Sequence, residues 1–134
     1  MKAEDLMIGD LVLYNGTHQQ ILEISGIDDE VYLETDELVH QSEIQPITLT
    51  PEVLEKNGFL ANKQVYPYPY YEYEVKEIKV KVGFAFPQEN RTSYKEPWVC
   101  VDTECIYIEH LPCMFVHQLQ HVLRLCGIEK EIEL

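Results

Sequence analysis

Long apolar runs are missing from this chain, as are the short motifs that identify many enzymes. No stretch approaches the roughly 18 consecutive apolar residues that a membrane helix requires. The N-terminal residues 1–6, Met-Lys-Ala-Glu-Asp-Leu, contain no apolar run of the signal-peptide kind. There is no glycine-rich phosphate loop and no Gly-x-Ser-x-Gly elbow. We therefore expect a cytoplasmic, non-enzymatic protein without a membrane span.

Basic residues are also scarce. The chain has 10 lysines and arginines against 24 aspartates and glutamates, a net charge of −14. The first 60 residues hold only Lys2 and Lys56 against 13 acidic residues, so their net charge is −11. An acidic surface repels phosphate backbones and anionic membranes, and we therefore expect no direct binding of nucleic acid or membrane. Two interpretations of the charge stay open, a cationic partner and solubility alone.

The composition fits a folded, reduced protein. The 134 residues are 46% hydrophobic, enough to bury the core of one domain or of two small lobes. The four cysteines are Cys100, Cys105, Cys113 and Cys126, and their gaps match no Cys-x-x-Cys metal or redox signature. Without a secretion signal we expect no disulfide framework. No motif indicates a cofactor.

The first third of the chain has the pattern of short antiparallel strands. Asn15-Gly16 is a pair whose tolerance of positive φ makes tight hairpin turns, and it separates two apolar segments. Pro46 lacks a donor for a strand ladder and would be confined to an edge. The predicted strands are 11–14, 19–24, 31–34, 38–40 and 44–47. This spacing predicts an SH3-like small β-barrel or a curled meander.

A short helix over residues 50–59 separates this lobe from the rest. Thr50 can cap the free N–H groups, Pro51 occupies the first helical position, and Gly58 provides a left-handed exit. We place the boundary here, between a β-rich lobe at 1–48 and an α+β lobe at 49–134. The predicted fold class is α+β, with the N-terminal β lobe followed by a helix, antiparallel strands and a C-terminal helix.

The second lobe is predicted to contain strands and one final helix. Apolar residues alternate from 66 to 86, with a change of phase that a bulge or turn near Lys76-Glu77 would explain. Two more strands are expected at 98–101 and 105–108, before a helix at 112–126 that Gly127 ends. At about 100° per residue, His117, His121 and Arg124 lie opposite an apolar side, so we expect the histidines to face water. That apolar side consists of Leu111, Phe115, Val116, Leu119, Val122, Leu123 and Cys126.

The two histidines of this helix stand four residues apart. His117 and His121 have the spacing that places two imidazoles on one helix face in the His-Glu-x-x-His motif of zinc peptidases. Position 118 is glutamine, which cannot act as the general base of that chemistry. Arg124 adds a positive charge that opposes cation binding. We therefore assign no metal ligands and no catalytic residues, and the alternative is surface metal binding or a degenerate metal-dependent hydrolase centred on this pair.

A tyrosine-rich segment interrupted by Pro67 and Pro69 is the other candidate site. Rigid amphipathic rings make good recognition surfaces, although an edge strand that packs half its rings on the core fits the same pattern. The partner is expected to be a protein, and one further possibility is that this acidic chain occupies the nucleic-acid site of a basic partner. The candidate partner-binding residues are Tyr66, Tyr68, Tyr70, Tyr71, Tyr73, His117, His121 and Arg124.

Two segments carry a family resemblance. They are Leu-Thr-Pro-Glu-Val-Leu-Glu-Lys-Asn-Gly-Phe at 49–59 and Val-His-Gln-Leu-Gln-His-Val-Leu-Arg-Leu-Cys-Gly-Ile-Glu-Lys-Glu-Ile at 116–132. Together they resemble an uncharacterised family of small bacterial proteins that phages and mobile elements also encode. The resemblance implies the two-part layout over most of the chain and an accessory role in a phage or mobile element. It brings no activity with it.

Overall fold

The computed structural model describes residues 1–25, 27–62, 70–84, 97–103 and 107–134, without the side chains of residues 3 and 107–110. The described residues form two antiparallel sheets and two α-helices, which confirms the α+β class. Two compact units can be distinguished, the first made of residues 1–48 and 115–121 and the second of residues 49–114 and 122–134. The first unit thus includes residues 115–121, which the predicted boundary at residue 48 assigns to the second lobe. No helix among the described residues has the length and apolarity of a membrane span.

The first unit contains an open five-stranded sheet in the order β4-β3-β2-β1-β5. Asn15 and Gly16 both have positive φ, so they form the predicted hairpin turn between the first two strands. Among the described residues this sheet does not close on itself, so the barrel alternative is wrong, whereas β1 to β4 pair consecutively as in the meander alternative. Its elements are a 3-10 helix at Ala3–Asp5, β1 (Leu11–Tyr14), β2 (Thr17–Ser25), β3 (Glu30–Leu33), β4 (Leu38–His40), a 3-10 helix at Gln41–Glu43, and β5 (Ile44–Gln45).

The core of this sheet follows from its alternating pattern. Successive side chains of a strand point to opposite faces, so β3 buries Val31 and Leu33 and leaves Tyr32 between them partly exposed. Apolar residues from the other strands and from the N-terminal segment join them on the same side. The buried cluster consists of Leu6, Val12, Ile21, Val31, Leu33, Val39 and Ile44.

The second unit contains a short helix and another five-stranded antiparallel sheet, in the order β10-β9-β8-β7-β6. The predicted start of the helix is confirmed, because Thr50 Oγ1 accepts a hydrogen bond from the Val53 N–H at 3.3 Å. Gly58 leaves the helix with a φ of +84°. Lys76 and Glu77 form the predicted turn between β7 and β8. The elements are α1 (Pro51–Lys56), β6 (Leu60–Asn62), β7 (Tyr70–Val75), β8 (Ile78–Gly83), β9 (Trp98–Asp102) and β10 (Tyr107–Pro112).

The C-terminal helix, α2 (Val116–Leu125), starts later than predicted. Residues up to Pro112 pair with β9 instead, and Leu111 is 46% exposed on that strand rather than buried in a helix. The predicted end is confirmed, since Gly127 has a φ of +72° and the Ile128 N–H donates to the Leu123 carbonyl at 2.9 Å. The centre of the predicted apolar side is also confirmed, because Val116, Leu119 and Leu123 are buried.

A close contact in the second sheet predicts a mutational effect. Gly83 lies opposite the buried Trp98, and a Cβ added at Gly83 would come within 2.2 Å of the indole ring. We expect Gly83→Ala to lower the free energy of unfolding, measured by chemical denaturation, by about 1–3 kcal/mol. The effect of Gly83→Ala should be smaller in a Trp98→Leu background, where the ring is gone. An equal penalty in both backgrounds would show that this contact is not the cause.

Candidate functional site

The first unit has a cleft of about 650 Å³ beside its N-terminal 3-10 helix. The lining mixes apolar groups with polar and charged ones, so the cleft offers both packing and hydrogen bonds to a ligand. The apolar lining comes from Met1, Leu6, Met7, Pro46 and Phe115, and the polar lining from Lys2, Glu4, Asp5, His117, Gln118 and His121.

Two glutamines of α2 hold the helix in this unit. Gln120 Oε1 accepts a hydrogen bond from the Leu11 N–H at 2.9 Å, and its Nε2 donates to the Gly9 carbonyl at 3.1 Å. Gln118 Oε1 accepts from the Phe115 N–H at 3.1 Å, which satisfies a donor at the helix start. Gln120 therefore attaches α2 to the start of β1, and Gln118 caps the first turn of α2.

His121 is bound to a buried carboxylate. Its Nε2 lies 2.7 Å from Asp10 Oδ2, and Asp10 is fully buried. The same oxygen accepts a hydrogen bond from the Met7 N–H at 2.7 Å. An ionised carboxylate can only accept, so the proton of the shared bond belongs to His121 Nε2. In the neutral ring Nδ1 is then unprotonated and can accept a hydrogen bond.

His117 is buried, and the expectation that it faces water is wrong. Its side chain is only 6% exposed, and its ring stacks on Phe115 with a centroid separation of 5.8 Å and an interplanar angle of 10°. The His121 ring lies edge-on at 5.6 Å. His117 Nδ1 is buried and has no hydrogen-bond partner among the described residues. An unmade hydrogen bond in a buried site is costly, so it requires an explanation.

The surroundings of His117 disfavour its charged form. Burial lowers its pKa from the ordinary value of 6.5, and the neighbouring His121 acts in the same direction. Asp10 and Asp5 act in the opposite direction through their negative charges, but burial is the largest cause. The ring is therefore a neutral hydrogen-bonding group at neutral pH.

This lowered pKa predicts a pH dependence of stability. The unfolded chain takes up a proton at His117 more readily than the folded chain does, so the stabilising contribution is complete above pH 6.5. It is lost as the pH falls from there towards the lower pKa of the folded state. We expect the unfolding free energy, measured by urea denaturation, to fall more steeply with acid in the wild type than in His117→Gln. Parallel curves would contradict this, because all other groups titrate in both proteins.

The remaining polar groups limit the chemistry of the cleft. His121 is oriented as a base, but the described residues of the lining include no hydroxyl or thiol group for it to activate. Within the described part of the chain, no three His, Cys, Asp or Glu side chains are placed to hold a metal ion. Cys113 does not line the cleft and belongs to the second unit. Burial raises its pKa to about 12, so it holds no thiolate near neutral pH. The cleft is suited to holding a ligand.

The tyrosine segment is only partly described. Tyr66 and Tyr68 lie outside the described residues. The other three belong to β7 and contact groups of the second unit. The Tyr71 hydroxyl donates to Glu55 Oε1 at 3.1 Å, the Tyr73 ring lies 5.2 Å from that of Phe59, and Tyr70 lies 6.5 Å from Trp98. These contacts favour the structural interpretation of Tyr70, Tyr71 and Tyr73.

The structure therefore brings together only part of the predicted site. His117 and His121 line the cleft, whereas Arg124 belongs to the second unit and is half-buried in the last turn of α2. Sequence reasoning missed Asp10 and Phe115, for which a turn aspartate before a strand and an aromatic residue before a helix were the available signals. No family model, curated protein or solved structure matches this chain.

Proposed function

We propose that this chain is a non-enzymatic accessory protein of a phage or mobile element that binds a protein partner in the cleft of its first unit. One observation carries this proposal: a buried histidine with an unpartnered ring nitrogen stands in the wall of an open cleft. Buried polar groups in folded proteins are hydrogen-bonded as a rule, so this exception calls for an explanation. The phage or mobile-element origin rests on the family resemblance alone.

The composition of the lining supports binding rather than catalysis. Its apolar side chains can take up buried surface, and a few polar groups can orient a ligand, which is the usual construction of a binding site. The SH3-like character of the first unit is part of this proposal, and the short consecutive antiparallel strands support it. The cytoplasmic location stays a prediction.

Site-specific crosslinking in the native host tests the proposal. Met7 lines the cleft and is 40% exposed, so benzoylphenylalanine in its place would touch a bound partner. Ile27 belongs to the same unit, is 94% exposed and does not line the cleft, which makes it the matched control position. We expect one discrete adduct from position 7 and none from position 27.

The partner that the adduct identifies must then be purified and tested for direct binding to this chain. Met7→Ala removes apolar surface from the cleft without changing its charge and should weaken partner binding by about fivefold or more, whereas Ile27→Ala makes a comparable truncation elsewhere and should leave binding unchanged. Equal crosslinking at both positions, or equal effects of the two substitutions, would refute the cleft as the binding site.

A further inference from the structure

The cleft combines a flat aromatic group with carboxylates. Phe115 and His117 form a parallel stacked pair in its lining, and Phe115 is only half-buried. Glu4 and Asp5, both exposed, belong to the same lining and lie at the 3-10 helix. A cleft lined by an aromatic ring and carboxylates suits a guanidinium group, since the guanidinium plane can stack on the ring while its N–H groups bind a carboxylate.

The charge of the first unit favours a cationic occupant. Residues 1–48 and 115–121 contain 11 acidic residues and one lysine, a net charge of −10. Nine of the acidic side chains are exposed. The charged residues that act on the His117 ring include Asp10 and Asp5, and burial keeps the ring itself neutral, so it does not repel a cation.

The apolar part of the lining suits the stem of a long cationic side chain. Leu6, Met7 and Pro46 provide methylene and methyl surface on which three CH2 groups can pack. The lone lysine of the lining, Lys2, lies 4.0 Å from Glu4, and both side chains are largely exposed. An incoming cation therefore competes with Lys2 for the Glu4 carboxylate, and the exposed Lys2–Glu4 pair is weak.

We propose that the occupant of this cleft is an arginine side chain in a basic segment of the partner protein. The inference rests on the proposed function and names the chemistry that the cleft recognises. Arginine suits it better than lysine because an ammonium group neither stacks on Phe115 nor forms two parallel hydrogen bonds to a carboxylate.

Two charge-matched peptides test the inference on the whole chain. One is acetyl-Gly-Ser-Arg-Ala-Arg-Ser-Gly-amide, and the other has lysine in place of both arginines. We expect the arginine peptide to bind about fivefold tighter in calorimetry at physiological salt, the difference expected from stacking. In methyl spectra, the Met7 signal should shift on binding, while the signal of Met114, which lies outside the lining, should stay in place.

Matched variants distinguish binding of the peptide in the cleft from general electrostatic attraction to the acidic unit. Glu4→Gln with Asp5→Asn removes two charges from the cleft, and Glu23→Gln with Asp28→Asn removes two exposed charges elsewhere in the same unit. We expect the first pair to weaken arginine-peptide binding by about tenfold and the second by less than about twofold. Lys2→Gln should tighten binding, because it removes the competing cation. Denaturation curves of each variant verify that the fold is retained.

Three outcomes would overturn the inference. Equal weakening by both pairs would show non-specific attraction, and weaker arginine-peptide binding in Lys2→Gln would show that Lys2 helps to hold the peptide instead of competing with it. Failure of the arginine peptide to bind at all would remove arginine as the occupant. The proposed function has its own test, since crosslinking at position 7 reports on occupancy of the cleft whatever the chemistry of the partner.

Discussion

Replacing Leu119 by alanine is expected to lower the free energy of unfolding by about 2–5 kcal/mol. Leu119 is fully buried at the centre of α2, so the substitution removes apolar burial and leaves a cavity that the surrounding side chains fill only in part. Urea denaturation monitored by circular dichroism measures the change, provided that wild type and variant show the same slope against denaturant.

A leucine on the same helix provides the control. Leu125 is 84% exposed, and Leu125→Ala should therefore change stability by no more than about 0.5 kcal/mol. The two substitutions are chemically identical and differ in burial alone. If Leu119→Ala were as mild as Leu125→Ala, the core position of α2 would be wrong.

The second large effect is expected at His121. Its removal takes a hydrogen-bond partner from the fully buried Asp10 carboxylate, so we expect His121→Ala to cost about 1.5–3 kcal/mol. This differs from the small effect that a water-facing histidine would have. Exposed His18 in β2 offers a control, and His18→Ala should stay within about 0.5 kcal/mol.

A double-mutant cycle assigns this cost to the contact itself. Asp10→Asn keeps the shape of the side chain but removes its charge, so His121→Ala should cost less in that background than in the wild type. The difference between the two costs is the coupling energy of the pair. Additive effects in the double variant would mean that His121 stabilises the fold through other contacts.

The local parts of the fold could be predicted from the sequence because their causes are local. The Thr50 cap and the Gly58 exit act within one or two turns of α1, and both are present. The hairpin turn at Asn15-Gly16 depends only on the backbone freedom of those two residues. Signals of this kind are complete within a few residues, so no knowledge of the rest of the chain is needed.

The candidate site could not be predicted in the same way, since its contacts join distant residues. A helical projection places His117 and His121 opposite the apolar side. It cannot show that His121 contacts the Asp10 carboxylate, which lies 111 residues earlier in the chain. The contact of Gly83 with Trp98 has the same character, because it depends on the register of two strands. In both cases the sequence gives the residue type, but the residue that it contacts depends on tertiary structure.

The attachment of Gln120 and His121 to Gly9, Leu11 and Asp10 has a consequence for folding during protein synthesis. The chain leaves the first unit at residue 48 and returns to it at 115. At about 5–20 residues per second, a ribosome needs roughly 3–13 s to make the 66 residues between these points. Throughout that time the buried Asp10 and the backbone groups around it lack their helical partners. Asp10 is thus completed by a residue that is made 111 positions later.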